Sequence, residues 1–153
     1  MNLGPDEAYH KAQDLLARRN HFSTELRQKL KVRGFAATDI DSAIDRLTEY
    51  GYLDDLNNGR QLAANYLWRK GYGRLMIVQR LRRKGLPLSL AQQISDELFA
   101  GVSESELEEL FSRLSRKARG DIYTYLYRRG FLHEEIEPFV TRCRENHLEH
   151  DSR

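Results

Sequence analysis

The chain has little of the residues that shape secreted, membrane-spanning or β-rich proteins. Its 153 residues include one cysteine, three prolines and ten glycines, and a lone cysteine, Cys143, excludes an internal disulfide. Apolar runs extend over only a few residues, so the sequence predicts neither a membrane span nor a secretion signal and favours a cytoplasmic location. Low glycine and proline contents and few β-branched residues favour helix.

Short motifs that mark common enzyme sites are also missing. The sequence contains no HExxH, Cys-x-x-Cys, Gly-x-Ser-x-Gly or Walker-type loop, and its five histidines are scattered. Zinc, nucleophile and nucleotide chemistry therefore have no recognisable scaffold. The segment Gly71-Tyr72-Gly73 is too short to hold a phosphate and is interpreted as a break between two helices. The sequence predicts a protein that is not an enzyme and that needs no cofactor or metal.

A threefold internal repeat is the main pattern that is present. An apolar residue, a leucine and a glycine follow one another at intervals of four, an apolar residue comes next, and a basic residue precedes each glycine. The copies are Leu26-x3-Leu30-x3-Gly34-Phe35, Ile77-x3-Leu81-x3-Gly85-Leu86 and Ile122-x3-Leu126-x3-Gly130-Phe131. A period near 50 residues is typical of repeat proteins, which bind along a long surface instead of in one deep pocket.

Apolar spacings of three and four predict helices throughout and no strands. In the first repeat they predict helices over residues 6–20, 23–33 and 38–50, with Ser23 and Thr38 as N-caps of the second and third. We therefore expect an all-α fold of three tandem three-helix repeats that form an elongated, curved, solenoid-like rod. The predicted units are residues 6–54, 55–101 and 102–148, followed by a disordered tail at 149–153.

The starts of two later helices carry their own signals. Ser103 with Glu106 matches a capping box and is expected to open the third unit. In contrast, Asn57-Asn58-Gly59 is typical of turns and predicts a delayed or frayed start of the fourth helix.

Charge is segregated along the chain, although the net charge is only +2. Asp and Glu are absent from Leu56 through Ser95, where eight cations occur. They are Arg60, Arg69, Lys70, Arg74, Arg80, Arg82, Arg83 and Lys84. Surface potential depends on charge within a Debye length of about 10 Å, so the middle unit is expected to attract a polyanion.

A helix over about residues 74–84 would separate these cations from apolar residues. The apolar face is predicted from Leu75, Ile77, Val78 and Leu81, and a basic face from Arg80, Arg83 and Lys84. Basic side chains can neutralise phosphates, and aromatic rings can stack on bases or pack on a partner. The candidate partner-binding or DNA-binding residues are Arg69, Lys70, Arg74, Arg80, Arg82, Arg83, Lys84, Trp68, Tyr72, Arg128 and Arg129. An ordinary solvated helix face is the alternative, although such faces usually mix charges of both signs.

Two further groups of residues have a structural and a functional interpretation. Asp54 and Asp55 could hold Mg²⁺, but Leu56-Asn57-Asn58-Gly59 does not match a calcium loop and Asp is a preferred N-cap, so capping is favoured. The second group is expected to pack in the core and between units instead of forming a ligand site. It consists of Tyr50, Tyr52, Tyr66, Tyr123, Tyr125 and Tyr127.

Three strings of residues resemble the RecX family of bacterial regulatory proteins. They are Leu15-Leu16-Ala17-Arg18-Arg19 near the start, Glu49-Tyr50-Gly51-Tyr52-Leu53-Asp54-Asp55, and Lys70-Gly71-Tyr72-Gly73 with Lys84-Gly85. The resemblance extends from about Ala8 to Glu145. It implies an elongated helical protein of three three-helix repeats that lies in the helical groove of the RecA–DNA filament. It also implies inhibition of the ATPase, strand exchange and coprotease functions of RecA.

The leading hypothesis is therefore a monomeric modulator of the RecA filament whose cations contact DNA or acidic protein surface. The main alternative is an architectural protein that binds single-stranded or double-stranded DNA without sequence preference. A small metal-dependent nuclease built on Asp54 and Asp55 is a third and weaker hypothesis.

Overall fold

The computed structural model describes residues 4–152, and within that range it contains nine α-helices and no strand. The helices are α1 (Pro5–Arg18), α2 (Ser23–Val32), α3 (Ala37–Glu49), α4 (Asp55–Trp68), α5 (Arg74–Arg83), α6 (Leu88–Ala100), α7 (Glu104–Ser115), α8 (Ile122–Arg128) and α9 (His133–Asp151). This confirms the predicted all-helical fold. We call α1–α3, α4–α6 and α7–α9 the first, second and third triplets.

The C-terminal helix is longer than expected. The sequence predicts a disordered tail at 149–153, but α9 continues to Asp151 and Ser152 caps it. Arg153 lies outside the described residues. No helix between residues 4 and 152 has both the length and the apolarity needed to cross a bilayer.

The repeated glycines end the middle helix of each triplet. Gly34, Gly85 and Gly130 have φ values of +89°, +97° and +97°, the left-handed region that glycine adopts most easily. A Cβ at Gly85 would lie 2.5 Å from Thr24 Cβ, and one at Gly130 would lie 2.6 Å from the backbone N of Met76. Each of these two glycines thus lets one triplet dock closely on the start of the preceding triplet's middle helix.

Helix starts follow the sequence signals in one case and depart from them in two. Ser103 and Glu106 form the predicted capping box of α7. The caps predicted at Ser23 and Thr38 are wrong, because Phe22 and Ala36 occupy the N-cap positions of α2 and α3 and neither helix has a side-chain cap bond. Ser23 instead donates its backbone N–H to Asp55 Oδ1 (2.8 Å), so a residue of the second triplet satisfies the start of α2.

The expected delay of α4 at Asn57-Asn58-Gly59 is also wrong, since α4 begins at Asp55 and runs through this segment. Gly59 is buried where α4 meets α6, and a Cβ there would lie 2.6 Å from Ile94 Cδ1. Asn58 donates to the His21 carbonyl (3.4 Å). The glycine therefore serves a close helix–helix approach instead of a turn.

Buried side chains form two separate clusters. The first lies within the first triplet and includes Leu26, Leu30 and Leu47. The second extends through the second and third triplets without interruption, and Phe22 is its one buried member from the first triplet. The second and third triplets therefore share a core, whereas the first has its own.

The accessible surface is large for the mass of the chain. It measures 10146 Å², about a quarter more than the roughly 8,000 Å² that the surface–mass relation gives for a compact 18.0 kDa protein. This excess agrees with the elongated shape expected for stacked helical units.

Candidate partner and nucleic-acid interface

The candidate interface is built around α5 and the turn that precedes it. Ile77 and Leu81 are fully buried and fix the orientation of α5 on the core. The predicted apolar face is wrong at one position, because Leu75 is 53% exposed. Gly71-Tyr72-Gly73 forms the predicted break between α4 and α5.

Two of the eight cations in the acid-free stretch are paired with carboxylates just beyond it. Arg60 forms an ion pair with Glu97 (3.0 Å) and Arg74 with Asp96 (3.0 Å), and both carboxylates lie on α6 of the same triplet. The guanidinium of Arg74 also lies 4.8 Å from the ring centre of Phe99. The expectation of eight uncompensated cations is therefore reduced to six.

Tyr72 lies between two of the predicted arginines. The guanidinium carbons of Arg80 and Arg129 lie 4.8 Å and 5.1 Å from its ring centre. Arg129 also donates to the carbonyls of Gly71 (2.8 Å) and Lys70, which joins the third triplet to the second. Burial raises the pKa of the neighbouring Tyr66, and the charge of Arg80 partly opposes this shift. Tyr72, Arg80 and Arg129 thus stabilise the junction between these triplets.

The remaining cations of the second triplet are exposed and form no ion pair with any residue between 4 and 152. Arg69 and Lys70 lie at the end of α4, and Arg82, Arg83 and Lys84 lie at the end of α5. Helix α5 has ten residues and is about 15 Å long, and the second group lies at its C-terminal end. We call Arg82, Arg83 and Lys84 the α5 cation cluster.

The α5 cation cluster borders the junction between the first and second triplets. Lys84 lines a depression of about 290 Å³ together with polar residues of both triplets, among them His21, Gln61 and Asn65. His21 is buried, and its ring nitrogens contact the Arg19 carbonyl (2.8 Å) and Lys29 Nζ (2.8 Å). The cations Arg19 and Lys84 line this depression together with the carboxylate of Glu25, which forms an ion pair with Arg19.

Trp68 forms neither a ring pair with Tyr72 nor a cation–π contact within the described residues. Its backbone carbonyl accepts a hydrogen bond from Arg113, and its half-buried side chain borders a groove of about 530 Å³ against α7. Glu106 and Glu109 also line that groove. Arg113 and Arg116 line it as well, so carboxylates and cations balance there and the groove is not a basic surface.

In the third triplet, Arg128 is exposed on α8 and borders a depression with Arg119 and Thr124. Neither arginine forms an ion pair within the described residues. Of the two candidate residues that the sequence predicts in this triplet, Arg128 is therefore exposed, whereas Arg129 is engaged at the junction with the second triplet.

Asp54 and Asp55 both act at helix starts. Asp54 caps α4 by accepting from the backbone N–H of Asn57 (3.0 Å), as the capping interpretation predicts. Asp55 accepts from both the N–H and the hydroxyl of Ser23. Residues 4–152 contain no group of three acidic, histidine or cysteine side chains arranged to hold a metal.

The prediction that the tyrosines pack in the core and between units is wrong for three of them. Tyr50, Tyr52 and Tyr127 are 61%, 64% and 58% exposed. Tyr127 stacks on Tyr123, one helical turn earlier on α8. The spacing of four between two tyrosines, flanked by arginines, is a sequence signal that could have indicated this surface.

Comparison with solved structures identifies the class of helical repeat protein to which this fold belongs. The crystal structure of RecX from Lactobacillus salivarius superposes with a TM-score of 0.78 at 17% identity, covering 90% of this chain and 95% of that one. A second crystal structure, of a regulatory protein RecX, gives 0.73 at 19% identity over 90% of this chain and 71% of that one.

Sequence comparison identifies the family. The model of the first three-helix domain of RecX matches residues 8–47. The regulatory protein RecX of Vibrio vulnificus is 34% identical over 137 residues, covering 80% of this chain and 83% of that protein. That of Chlorobaculum tepidum is 34% identical over 131 residues, covering 82% and 81%. The chain belongs to the RecX family of regulatory proteins.

Proposed function

We propose that this chain regulates the RecA recombinase by binding in the helical groove of the RecA–DNA filament. Binding there would inhibit the ATPase, strand exchange and coprotease activities of the filament, without catalysis by the chain itself. We place this activity in the cytoplasm and assign it to a monomer. The three repeats would be residues 6–54, 55–101 and 102–148, which together follow the groove.

The observation that carries this proposal is the α5 cation cluster. Arg82, Arg83 and Lys84 are consecutive exposed residues at the end of α5, with no carboxylate partner in the described residues. Cations in the last turn of a helix interact favourably with its dipole, by about 0.3–1 kcal/mol each, which explains part of their placement. Repulsion from Arg80, three and four positions before Arg83 and Lys84, opposes this gain. A filament of protein on DNA presents phosphates and acidic side chains that would compensate all three charges.

A second function follows from the same cluster. The cations would also neutralise phosphates of naked single-stranded or double-stranded DNA, as in an architectural protein without sequence preference. Phosphate contacts carry no base information, so neither function requires base readout. The nuclease hypothesis gains no support, since Asp54 and Asp55 are both engaged at helix starts.

Binding titrations distinguish regulation of RecA from architectural binding of DNA. The wild-type chain and the triple variant Arg82→Ala, Arg83→Ala, Lys84→Ala are titrated against RecA filaments on single-stranded DNA and against the same DNA without RecA, at two salt concentrations. Each phosphate contact on a single strand contributes about 0.7 to the slope of log affinity against log salt, so the triple variant should lower that slope by about 2. Tighter binding of the filament than of naked DNA supports the RecA function, and equal binding supports the architectural one.

The matched control removes three cations from the first triplet. Arg18→Ala, Lys31→Ala and Arg33→Ala lower the net charge equally at exposed positions without ion pairs in the described chain. This control should keep most of the affinity for the filament. Equal losses in the two triple variants would show that only overall charge matters and would contradict a role for the α5 cation cluster.

A further inference from the structure

Two tyrosines on α8 form an exposed aromatic surface in the third triplet. The rings of Tyr123 and Tyr127 are nearly parallel, with an angle of 12° and 6.1 Å between their centres. Tyr127 is 58% exposed although one of its faces is turned to Tyr123. The open part of Tyr127 therefore includes the outer face of its ring.

The inner ring of this pair is held in place. The hydroxyl of Tyr123 is hydrogen bonded to Nδ1 of His133 (2.8 Å), and the two rings meet edge to face at 5.7 Å. Leu126, between the two tyrosines, is fully buried and anchors α8 to the core. The outer ring thus rests on an ordered base, which lowers the entropy cost of binding a flat ligand.

The segment of chain that carries the pair is rich in cations. Residues 116–129 contain five cations and one acid, Asp121. The carboxylate of Asp121 is engaged at the start of α8, where it accepts from the N–H (2.9 Å) and hydroxyl (2.8 Å) of Thr124. Arg119 and Arg128 are exposed and have no ion pair in the described residues. On the facing helix, α9, the acids of the first turn are Glu134 and Glu135, and Glu135 is bonded to the Leu132 N–H.

We infer that Tyr127, supported by Tyr123, stacks on a base of single-stranded DNA while Arg119 and Arg128 contact the flanking phosphates. Single strands present base faces that a duplex keeps within its stack, and stacking on aromatic side chains is tolerant of sequence. A purely electrostatic site would need no exposed ring, and a purely apolar protein contact would not have an exposed arginine without an ion pair, Arg128, as the next residue of the helix. This inference extends the proposed function, because it assumes that the chain meets single-stranded DNA.

Oligonucleotides with and without bases test the stacking. Binding of the wild-type chain and of Tyr127→Ala is measured by fluorescence anisotropy on a thymidine strand and on an abasic strand of equal length, without RecA. Loss of one stacked base should weaken binding to the thymidine strand about tenfold. Binding to the abasic strand and the salt slope should stay unchanged, and Tyr127→Trp should restore the affinity.

Tyr52→Ala is the matched control, since Tyr52 is equally exposed but lies in the first triplet. Equal affinity of wild-type and Tyr127→Ala for the thymidine strand would overturn the inference, as would an equal loss on both strands or in Tyr52→Ala. Failure of the wild-type chain to bind the thymidine strand would overturn it too. The RecA proposal is judged separately, by filament binding of the α5 cation cluster variant, so the two can fail independently.

Discussion

The two junctions between triplets are held together by different kinds of interaction. At the junction of the second and third triplets, a continuous apolar core crosses the boundary and backbone contacts backbone. Gly73 N–H donates to the Arg129 carbonyl (2.8 Å) and Leu75 N–H to the Gly130 carbonyl (3.1 Å). At the junction of the first and second triplets, the apolar contact is largely limited to Phe22, and side chains make the hydrogen bonds.

Polar side chains hold the first junction together. Asp55 binds Ser23, Asn58 binds the His21 carbonyl, and Thr24 Oγ1 donates to the Gly85 carbonyl (3.1 Å). Such bonds each contribute about 1 kcal/mol to stability, whereas a shared core contributes through every apolar side chain that it buries. We therefore expect the first junction to open more readily, so that the first triplet could change its angle when the chain follows a curved groove.

Gly73→Ala should have the largest effect on stability, because it disrupts the second junction. A Cβ at Gly73 would lie 2.3 Å from the backbone N of Phe131 and 2.4 Å from the backbone C of Gly130, and the backbone cannot easily move aside. We expect a loss of about 3 kcal/mol, measured by denaturant unfolding.

Gly101→Ala is the control for this substitution. Its Cβ would make an ordinary contact with the Leu98 carbonyl at 3.6 Å, so its stability should stay within about 0.5 kcal/mol of wild type. Similar stabilities of the two variants would show that the second junction yields easily and would contradict the contrast between the junctions.

Asp55→Ala should have an intermediate effect and act on the first junction. The variant loses the acceptor for the N–H and hydroxyl of Ser23, so we expect a loss of about 1–2 kcal/mol, the usual range for a missing helix cap. Hydrogen exchange should become faster at the start of α2 as well as at the start of α4.

Asp54→Ala separates the junction from the cap. Asp54 caps only α4, so this variant should lose about 1 kcal/mol and leave exchange at the start of α2 unchanged. If both variants speed exchange at α2 equally, Asp55 is not a specific link between the triplets.

Local patterns in the sequence predicted the helices and the repeat. Apolar spacing and the glycine at the end of each middle helix act within one or two helical turns, so they can be recognised without knowing the fold. The capping box at Ser103 and the left-handed glycines belong to this class, and the structure confirms them.

The contacts that decide which candidate residues are engaged within the protein could not be predicted from local patterns. Arg60 meets Glu97 across 37 positions, Asp55 meets Ser23 across 32, and Arg129 meets Gly71 across 58. Such pairs depend on how helices are placed in three dimensions. For this reason the sequence predicts eleven interface residues but does not show that Arg74 and Arg129 bind other residues of the protein. The turn-like residues around Gly59 likewise predict a frayed helix start and give no sign of the close contact between α4 and α6 at this position.

Glu25→Gln should have the smallest effect and should show an acid response beside the first junction, in the ion pairs that Glu25 forms with Arg19 and Lys29 of the first triplet. A hydrogen bond from Arg19 holds the pKa of Glu25 below its ordinary value, with smaller help from the charges of His21 and Lys29. The ionised carboxylate therefore stabilises the folded state above the unfolded pKa of about 4.3, and this contribution is lost as pH falls through the lower folded pKa. Because the pair is exposed, the effect should be below about 1 kcal/mol.

The measurement is the melting temperature between about pH 5 and about pH 3, where wild type should lose more stability than Glu25→Gln. Glu49→Gln is the control, since Glu49 is exposed and forms no ion pair in the described chain, and it should follow the wild-type curve. At the second junction Arg129 binds carbonyl groups, which do not titrate, so hydrogen exchange around Gly130 should stay constant over the same range. Parallel acid responses at the two junctions would contradict their proposed difference. Polar side chains hold the first junction, whereas a shared core and backbone hydrogen bonds hold the second, so the two should differ in sensitivity to acid.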